Sequence, residues 1–228
     1  MLKNHSEEVR QRILETAKDL FLSDGYKKTT IAKIVSVSGV SSGSIYHWYK
    51  NKQEIFEEIV QELMQEAQRL IERDMAGRPP ACRYAALLEM ELQAIEHNPI
   101  IREIFCVALG SGEMFLPLVR RHTEYVARLF GDRLTVEECR ARILFIHAAM
   151  NGYLFAFQQE REAQRTALRQ FFLSTSLMIL GLSKAEQRAC VREIEAAREK
   201  WQAKGRQLLA QLTFLAEDAD DEKGPDEP

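Results

Sequence analysis

From residue 9 to residue 212 the apolar positions recur at intervals of three and four, and no stretch alternates with the period of two that a half-buried strand requires. A chain patterned in this way buries its apolar stripes only by packing helix on helix, so the expected fold class is all-α. Glycine and proline set the helix lengths. Asp24-Gly25 stops a first helix over 6–23, whose stripe is Val9, Ile13, Ala17, Leu20 and Phe21. A short helix follows over 30–37, and another starts near Ser41. A long helix spans 52–75, with Ile55, Ile59, Leu63 and Leu70 on its stripe, and Gly77-Arg78-Pro79-Pro80 ends it. Further helices are predicted over 81–97, 100–109, 113–130, 136–160 and 163–181. Ser183 to Glu186 reads as a capping box opening one more helix, with Val191, Ile194, Trp201, Leu208 and Leu212 on a thin stripe.

The 228 residues are 46% hydrophobic, enough to fill a core, and the formal net charge is only −3. The distribution of that charge is uneven. Residues 1–53 hold nine Lys and Arg against five Asp and Glu, a net +4, which leaves −7 for the rest. A basic N-terminal fifth on an acidic body points to a polyanion faced by the first segment alone. From Glu217 the chain reads EDADDEKGPDEP, too acidic to bury apolar surface, and is expected to be a disordered, solubilising tail over 217–228. Cys82, Cys106, Cys139 and Cys190 are scattered without metal-ligand spacing, so no metal and no cofactor is expected. The first residues lack an apolar signal core, and the longest uncharged run, over 143–157, is too short to span a bilayer. A cytoplasmic location is expected, with no membrane partner.

The stretch TTIAKIVSVSGVSSGSIYHWYKNK, beginning at Thr29, reads as a helix-turn-helix. Ile31, Ile34 and Val35 face inward, Ser38-Gly39-Val40 makes the turn, and Gly39 suits the left-handed backbone that such a turn often needs. On a helical wheel Ser41, Ser44, Ile45 and Trp48 fall on the core side of the second helix, and Ser42, Gly43, Tyr46 and His47 on the other. Hydroxyl, bare backbone, phenol and imidazole together suit close approach to a groove and hydrogen bonds to phosphates or base edges. Gly43 inside a helix costs about 1 kcal/mol against alanine, which access to a groove would offset. Lys50 and Lys52 lie just beyond, and the amides opening the next helix offer an anion site beside Lys52. Taken singly, these are ordinary surface residues; with the turn, they point to DNA.

Over residues 7–60 the sequence resembles the TetR family of one-component bacterial transcription regulators. Ala17, Phe21, Gly25, Tyr26, Thr29, Thr30, Ile31 and Ile34 are in register, followed by GVSSGSIYHWYKNKQEIF. The resemblance implies that Thr30 caps the second helix and meets a phosphate, that Ser42, Gly43, Tyr46 and His47 enter the major groove, and that Lys52 holds the DNA backbone; Ser41 and Lys50, beside them, are further DNA-binding candidates. Ser42 stands where the family often has Lys or Arg, and Val35-Ser36 where alanine and a charge are usual, which implies fewer charge contacts per protomer.

The run over 143–157 is apolar all round, with Ala148, Gly152 and Ala156 forming a small-residue ridge that another helix can approach closely. Leu168, Phe171, Phe172, Thr175, Met178 and Leu182 follow at similar spacing on the next helix. Two such helices from each protomer would make an isologous four-helix homodimer interface, as the resemblance also implies. A dimer presents two reading helices about 34 Å apart to a palindromic double-stranded operator. Met90, Phe105, Phe115, Tyr125, His147, Asn151 and Phe155 are the candidate lining of an effector pocket, although a solid core has nearly the same composition.

The expected organisation is a DNA-binding domain over 1–52, a helical effector-binding and dimerisation domain over 53–182, an additional helix over 183–216, and the tail. The expected function is a dimeric repressor released from its operator by a small apolar or amphipathic effector, the signal passing through the long helix from Lys52. Two other readings stay open. One is a helical metabolite-binding protein or enzyme with a vestigial DNA motif; no nucleophile with a base partner and no catalytic residue is found in the sequence. The other drops the small molecule and lets the C-terminal helix recruit a protein.

Overall fold

The computed structural model describes residues 2–210, and the regular structure among them is helical throughout. The helices are α1 (Leu2–Asp24), α2 (Ile31–Ser38), α3 (Ser42–Trp48), α4 (Lys52–Asp74), α5 (Pro80–His97), α6 (Pro99–Gly110), α7 (Gly112–Phe130), α8 (Val136–Gln159), α9 (Glu162–Ile179), α10 (Lys184–Ala196) and α11 (Arg198–Ala210). The acidic tail over 217–228 and the expected end of the last helix lie outside the described residues. The chain forms two compact units, one built on residues up to Leu63 and one from Met64 to Arg206, so α4 contributes to both.

The first unit is a small helical core around α1. Ile13, Leu14, Ala17 and Phe21 of that helix are buried together with Ile34, Ile45, Tyr49, Ile55 and Phe56. Each large side chain removed from water in this way contributes about 1.5–3 kcal/mol. Phe21, Tyr26 and Phe56 close the cluster, with ring centroids 4.7–5.8 Å apart at tilted or edge-on angles that suit the ring quadrupoles. The aromatic that locks α3 is Tyr49, 4% exposed; the sequence assigned that task to Trp48. Tyr49 ends α3 in an extended conformation, which swings its side chain off the helical wheel into the core. Its hydroxyl donates to Glu58 at 2.8 Å, and burial pushes its pKa up to about 12. Trp48 is half-buried, with the Arg10 guanidinium over its ring at 5.7 Å.

The second unit is organised about α5, in which every residue from Tyr84 to Ile95 is buried. It touches α6, α7, α9 and α10, while α8 packs on α6, α7 and α9. The helix expected over 183–216 is two helices. Ala197, at φ −107° and ψ 21°, breaks it, and Gly205 of α11 then lies against α5. A Cβ on Gly205 would stand 3.3 Å from Gln93 Cβ and 3.4 Å from Met90 O and Ala94 N, so only glycine permits that approach without a shift. Trp201 is 1% exposed, which makes α11 part of this core.

Because α5 is enclosed, it carries Glu89, Glu91 and Gln93 into the interior, where an unpaired charge is untenable. Glu89 accepts from Gln93 Nε2 at 2.6 Å and lies 3.7 Å from the Arg169 guanidinium. Arg169, itself buried, donates to Glu96 at 2.8 Å, and the Tyr153 hydroxyl donates to the same carboxylate. Burial above all raises the Glu89 carboxyl to about 7, with Gln93 and Arg169 pulling in the opposite direction.

Candidate functional site

The candidate surface on α3 begins with its caps. Thr30 ends an extended segment, and its hydroxyl accepts from Lys33 N at 3.2 Å to start α2. Gly39 closes α2 at φ 66°, the left-handed conformation anticipated for the turn. Ser41 then caps α3, accepting from Ser44 N at 3.1 Å and sharing a 2.8 Å hydrogen bond with the Ser44 hydroxyl. With both ends fixed and Ile45 fully buried, the rotation of α3 is set. Ser42, Gly43, Tyr46 and His47 all emerge exposed on its outer side, Tyr46 at 57%. The His47 ring meets Trp48 edge to face at 5.7 Å, which restrains the imidazole without burying it.

The two lysines diverge. Lys50 is exposed, whereas the Lys52 ammonium donates to the Tyr26 and Thr29 carbonyls at 2.6 and 2.8 Å and sits 4.1 Å over the Tyr26 ring. Desolvation lowers its pKa. Lys52 therefore ties the segment before α2 to the start of α4, and two of its three hydrogens are already committed. The anion site expected at the opening of α4 is filled from within the chain. Asn51 Oδ1 accepts from Glu54 N at 2.9 Å, and the Glu54 carboxylate accepts from Lys50 N at 2.8 Å. One amide a phosphate would have used is therefore satisfied by Asn51, and the Glu54 carboxylate adds negative charge at the helix start.

A second feature lies inside the second unit. Leu88 and Glu91 of α5, Phe105 and Leu109 of α6, Leu118 and His122 of α7, and Ile146, His147 and Met150 of α8 line a small cavity. Its free space, about 10 Å³, takes a single water molecule. Three buried polar side chains meet there. His122 Nδ1 and His147 Nε2 are 2.6 Å apart, and His122 Nε2 is 3.3 Å from Glu91. That last contact is an ion-pair distance with an angle too bent for a hydrogen bond, and His147 Nδ1 has no partner. Burial, and then His122, holds the His147 pKa well below the ordinary histidine range.

The profile of the family described as bacterial regulatory proteins, tetR family, matches residues 13–59, the span that carries α2, α3 and the lysine ties just described. The amino-terminal domain is a TetR-family domain. Over 71 residues the chain is 36% identical to the uncharacterised HTH-type transcriptional regulator YhgD of Bacillus subtilis, covering 31% of this chain and 37% of that protein. Over 52 residues it is 40% identical to the HTH-type regulator QacR of Staphylococcus aureus, covering 23% and 28%. The matched stretch thus spans about a third of the curated relatives' length. Beyond it the likeness is one of fold alone. RolR, solved with resorcinol, superposes at a TM-score of 0.65 and 16% identity over 82% of this chain and 95% of its own. SmeT, the repressor of a Stenotrophomonas maltophilia multidrug efflux pump, superposes at 0.52 and 22% identity over 74% and 88%.

In the second unit the structure redistributes several residues singled out in the sequence. Phe105 and His147 line the cavity, and half-buried Phe115 packs its ring edge on His147, centroids 5.9 Å apart. Met90 and Tyr125 are fully buried but are not among the lining residues. Asn151 and Phe155 are exposed, Phe155 at 73%, because they follow exposed Ala148 at spacings of three and seven and share its outer face of α8, at the edge of the buried side that holds His147. On that outer side Ala148 and Gly152 are exposed and Ala156 half-exposed; α9 adds exposed Phe171 and Met178 and half-exposed Leu168 and Thr175. Phe172 and Leu182 point the other way, into the core, at 4% and 6% exposure. Phe145, 69% exposed, belongs to the outer face and was not singled out.

Glu91 and His122 were missed entirely. The signal for Glu91 was its place in ALLEMELQAI, a helix too apolar around it to offer a solvated face. His122 gave none, since its neighbours Arg120, Arg121 and Glu124 make that stretch of α7 look polar.

Proposed function

We propose that the chain is a dimeric transcription regulator that grips double-stranded DNA through α3 and lets go when a small apolar or amphipathic molecule occupies the cavity. The observation that carries this reading is the outer face of α3. A helix of seven residues, capped at both ends and anchored by Ile45, presents Ser42, Gly43, Tyr46 and His47 together to solvent. These are groups that hydrogen-bond to base edges and phosphates, and Gly43 leaves room for a groove wall. Exposed Lys27, Lys28 and Lys50 supply sequence-independent attraction nearby in the chain. QacR and YhgD, similar over this part alone, are both named as transcriptional regulators.

The exposed phenylalanines support a dimer. Phe145, Phe155, Phe171 and Met178, all more than half exposed, lie on α8 and α9 around the Ala148 and Gly152 ridge. Apolar side chains gathered in this way are uncommon on a monomer and suit an isologous four-helix contact. Support for a small-molecule signal comes from the cavity and from the resorcinol bound to RolR, a protein similar in fold. The effector works only through its difference in affinity between DNA-fitting and non-fitting states.

Operator selection from random duplexes with purified protein tests the reading. Enrichment of palindromes with half-sites about one helical turn apart is the expected result. Recovery of no sequence, or of sites indifferent to His47→Ala, would overturn it.

A further inference from the structure

The cavity ends a relay of three buried polar side chains. Three helices each bring one polar side chain to it at a position next to apolar ones: Leu88 and Glu91 on α5, Leu118 and His122 on α7, His147 and Met150 on α8. All three polar residues are at least nine-tenths buried. The Glu91 carboxylate stands 3.3 Å from His122 Nε2 without hydrogen-bond geometry, and its negative charge favours the tautomer with the hydrogen on that nitrogen. In that tautomer His122 Nδ1 is an acceptor, and the 2.6 Å contact then takes its hydrogen from His147 Nε2. The lone pair that remains is on His147 Nδ1, which like His122 Nε2 has no hydrogen-bond partner. A buried acceptor with nothing to accept from is costly, by about 1–3 kcal/mol, and native interiors rarely keep one.

We infer that this site selects a small aromatic compound bearing a hydroxyl group, a phenol, whose O–H donates to His147 Nδ1 while its ring lies among Phe105, Leu109, Leu118, Ile146 and Met150. The inference rests on the regulatory reading above only for its biological use. The hydroxyl is specified by the relay: a carboxylate two rings away polarises both imidazoles and strengthens the terminal acceptor, favouring the stronger donor, phenol over alkanol. The flat ring is specified by the lining, where Phe105 offers an aromatic neighbour and Met150 a polarisable thioether. The resting space has room for one water, so a ring enters only if side chains move; half-buried Phe105, in the lining, and half-buried Phe115, against His147, are the nearest candidates to do so.

Calorimetric titration of the full chain with phenol, anisole and toluene tests the inference. Phenol is expected to bind at least about tenfold more tightly than either ligand lacking the donor, the usual worth of a hydrogen bond to a buried group. The preference should vanish in His147→Phe and shrink in Glu91→Gln. Equal binding of phenol and toluene, a preference that survives His147→Phe, or no binding of phenol at millimolar concentration would overturn it. Should His147→Phe not fold, the 15N resonances of the wild-type rings decide: an unprotonated His147 Nδ1 that shifts on adding phenol supports the relay, and a protonated one sinks it. Operator binding in the same samples keeps the two readings apart. Phenol bound with DNA retained removes the regulatory role and leaves the site; release by phenol and toluene alike removes the hydroxyl selection and leaves the regulation.

Discussion

The two units dispose of their polar side chains in opposite ways. In the first, the residues that define the candidate DNA surface are exposed, and its buried polar groups are the hydroxyls of Thr16, Thr29 and Ser38, of which Thr29 donates to the Leu20 or Gly25 carbonyl. In the second, Glu89, Glu91, Gln93, His122, His147 and Arg169 are all inside. His47 and His147 make the contrast concrete: one imidazole stands in water against a tryptophan edge, the other is sealed among apolar groups with its basicity suppressed. A surface that binds a polyanion needs accessible donors and little internal chemistry. A cavity that discriminates small molecules needs polar groups whose solvation has already been removed, and the fold must then support them with partners.

The sharpest test of that difference is Arg169→Met. It leaves Glu89 and Glu96 without their cation in the interior of the second unit, and breaking a buried pair on one side costs about 3–5 kcal/mol. Urea unfolding should show that loss, whereas His47→Ala should stay within about 0.5 kcal/mol of the parent. A loss under about 1 kcal/mol for Arg169→Met would mean that the network is wetter than its burial implies.

Next in size is a pH effect. The folded carboxyl of Glu89 titrates near 7, above the unfolded value of about 4.5, so the native state holds a proton that the unfolded chain has released. Stability from this group is therefore complete at low pH and falls as pH rises from about 4.5 to 7, levelling off above; at about 1.4 kcal/mol per pH unit the total is about 3 kcal/mol. Glu89→Gln should flatten that fall, read as the difference between the two unfolding free energies at pH 5 and pH 8. Identical pH profiles would remove Glu89 as the cause.

In the first unit the expected effects are on binding. Tyr46→Ala and His47→Ala should each weaken the selected operator by about 1–3 kcal/mol, with sequence preference relaxed at the contacted position. The lysines give a smaller, paired readout. Lys50→Ala should lower the slope of log affinity against log salt by about 1, the mark of one lost phosphate contact. Lys52→Met should leave that slope nearly unchanged and instead reduce thermal stability, because its hydrogens serve the Tyr26 and Thr29 carbonyls. The reverse pattern would restore Lys52 to the DNA backbone.

Helical phase explains why the exposed face of α3 was largely legible and the cavity was not. For Ser42, Gly43, Tyr46 and His47 the sequence needed only the positions of Ile45 and the turn, both local. It erred in giving the anchoring aromatic to Trp48, the last residue of α3; Tyr49 takes that place, one residue on, where the helix has ended and the wheel no longer applies. In the second unit, which side of a helix faces the core depends on neighbours far along the chain. His147 and Asn151 are one turn apart, yet one is 4% exposed and the other is outside, since α6 and α7 cover only part of α8. The partnership of Glu91, His122 and His147 joins α5, α7 and α8, and no spacing rule within a single helix contains it.

Gly43 separates folding from function with the smallest change. Nothing in the protein crowds it: a Cβ there would meet only Ser41 Oγ, at 3.9 Å. Its φ lies outside the left-handed region, so alanine is conformationally welcome. On propensity alone Gly43→Ala should stabilise the first unit by up to about 1 kcal/mol, with the short length and end effects of α3 pulling the figure lower. If the glycine is there to let the backbone of α3 approach a groove wall, the same methyl group should weaken operator binding while the melting temperature rises. Opposite signs in the two measurements would assign Gly43 to the DNA surface. A rise in stability with operator affinity unchanged would show that α3 docks by its side chains alone, at a distance where an extra methyl group is not felt.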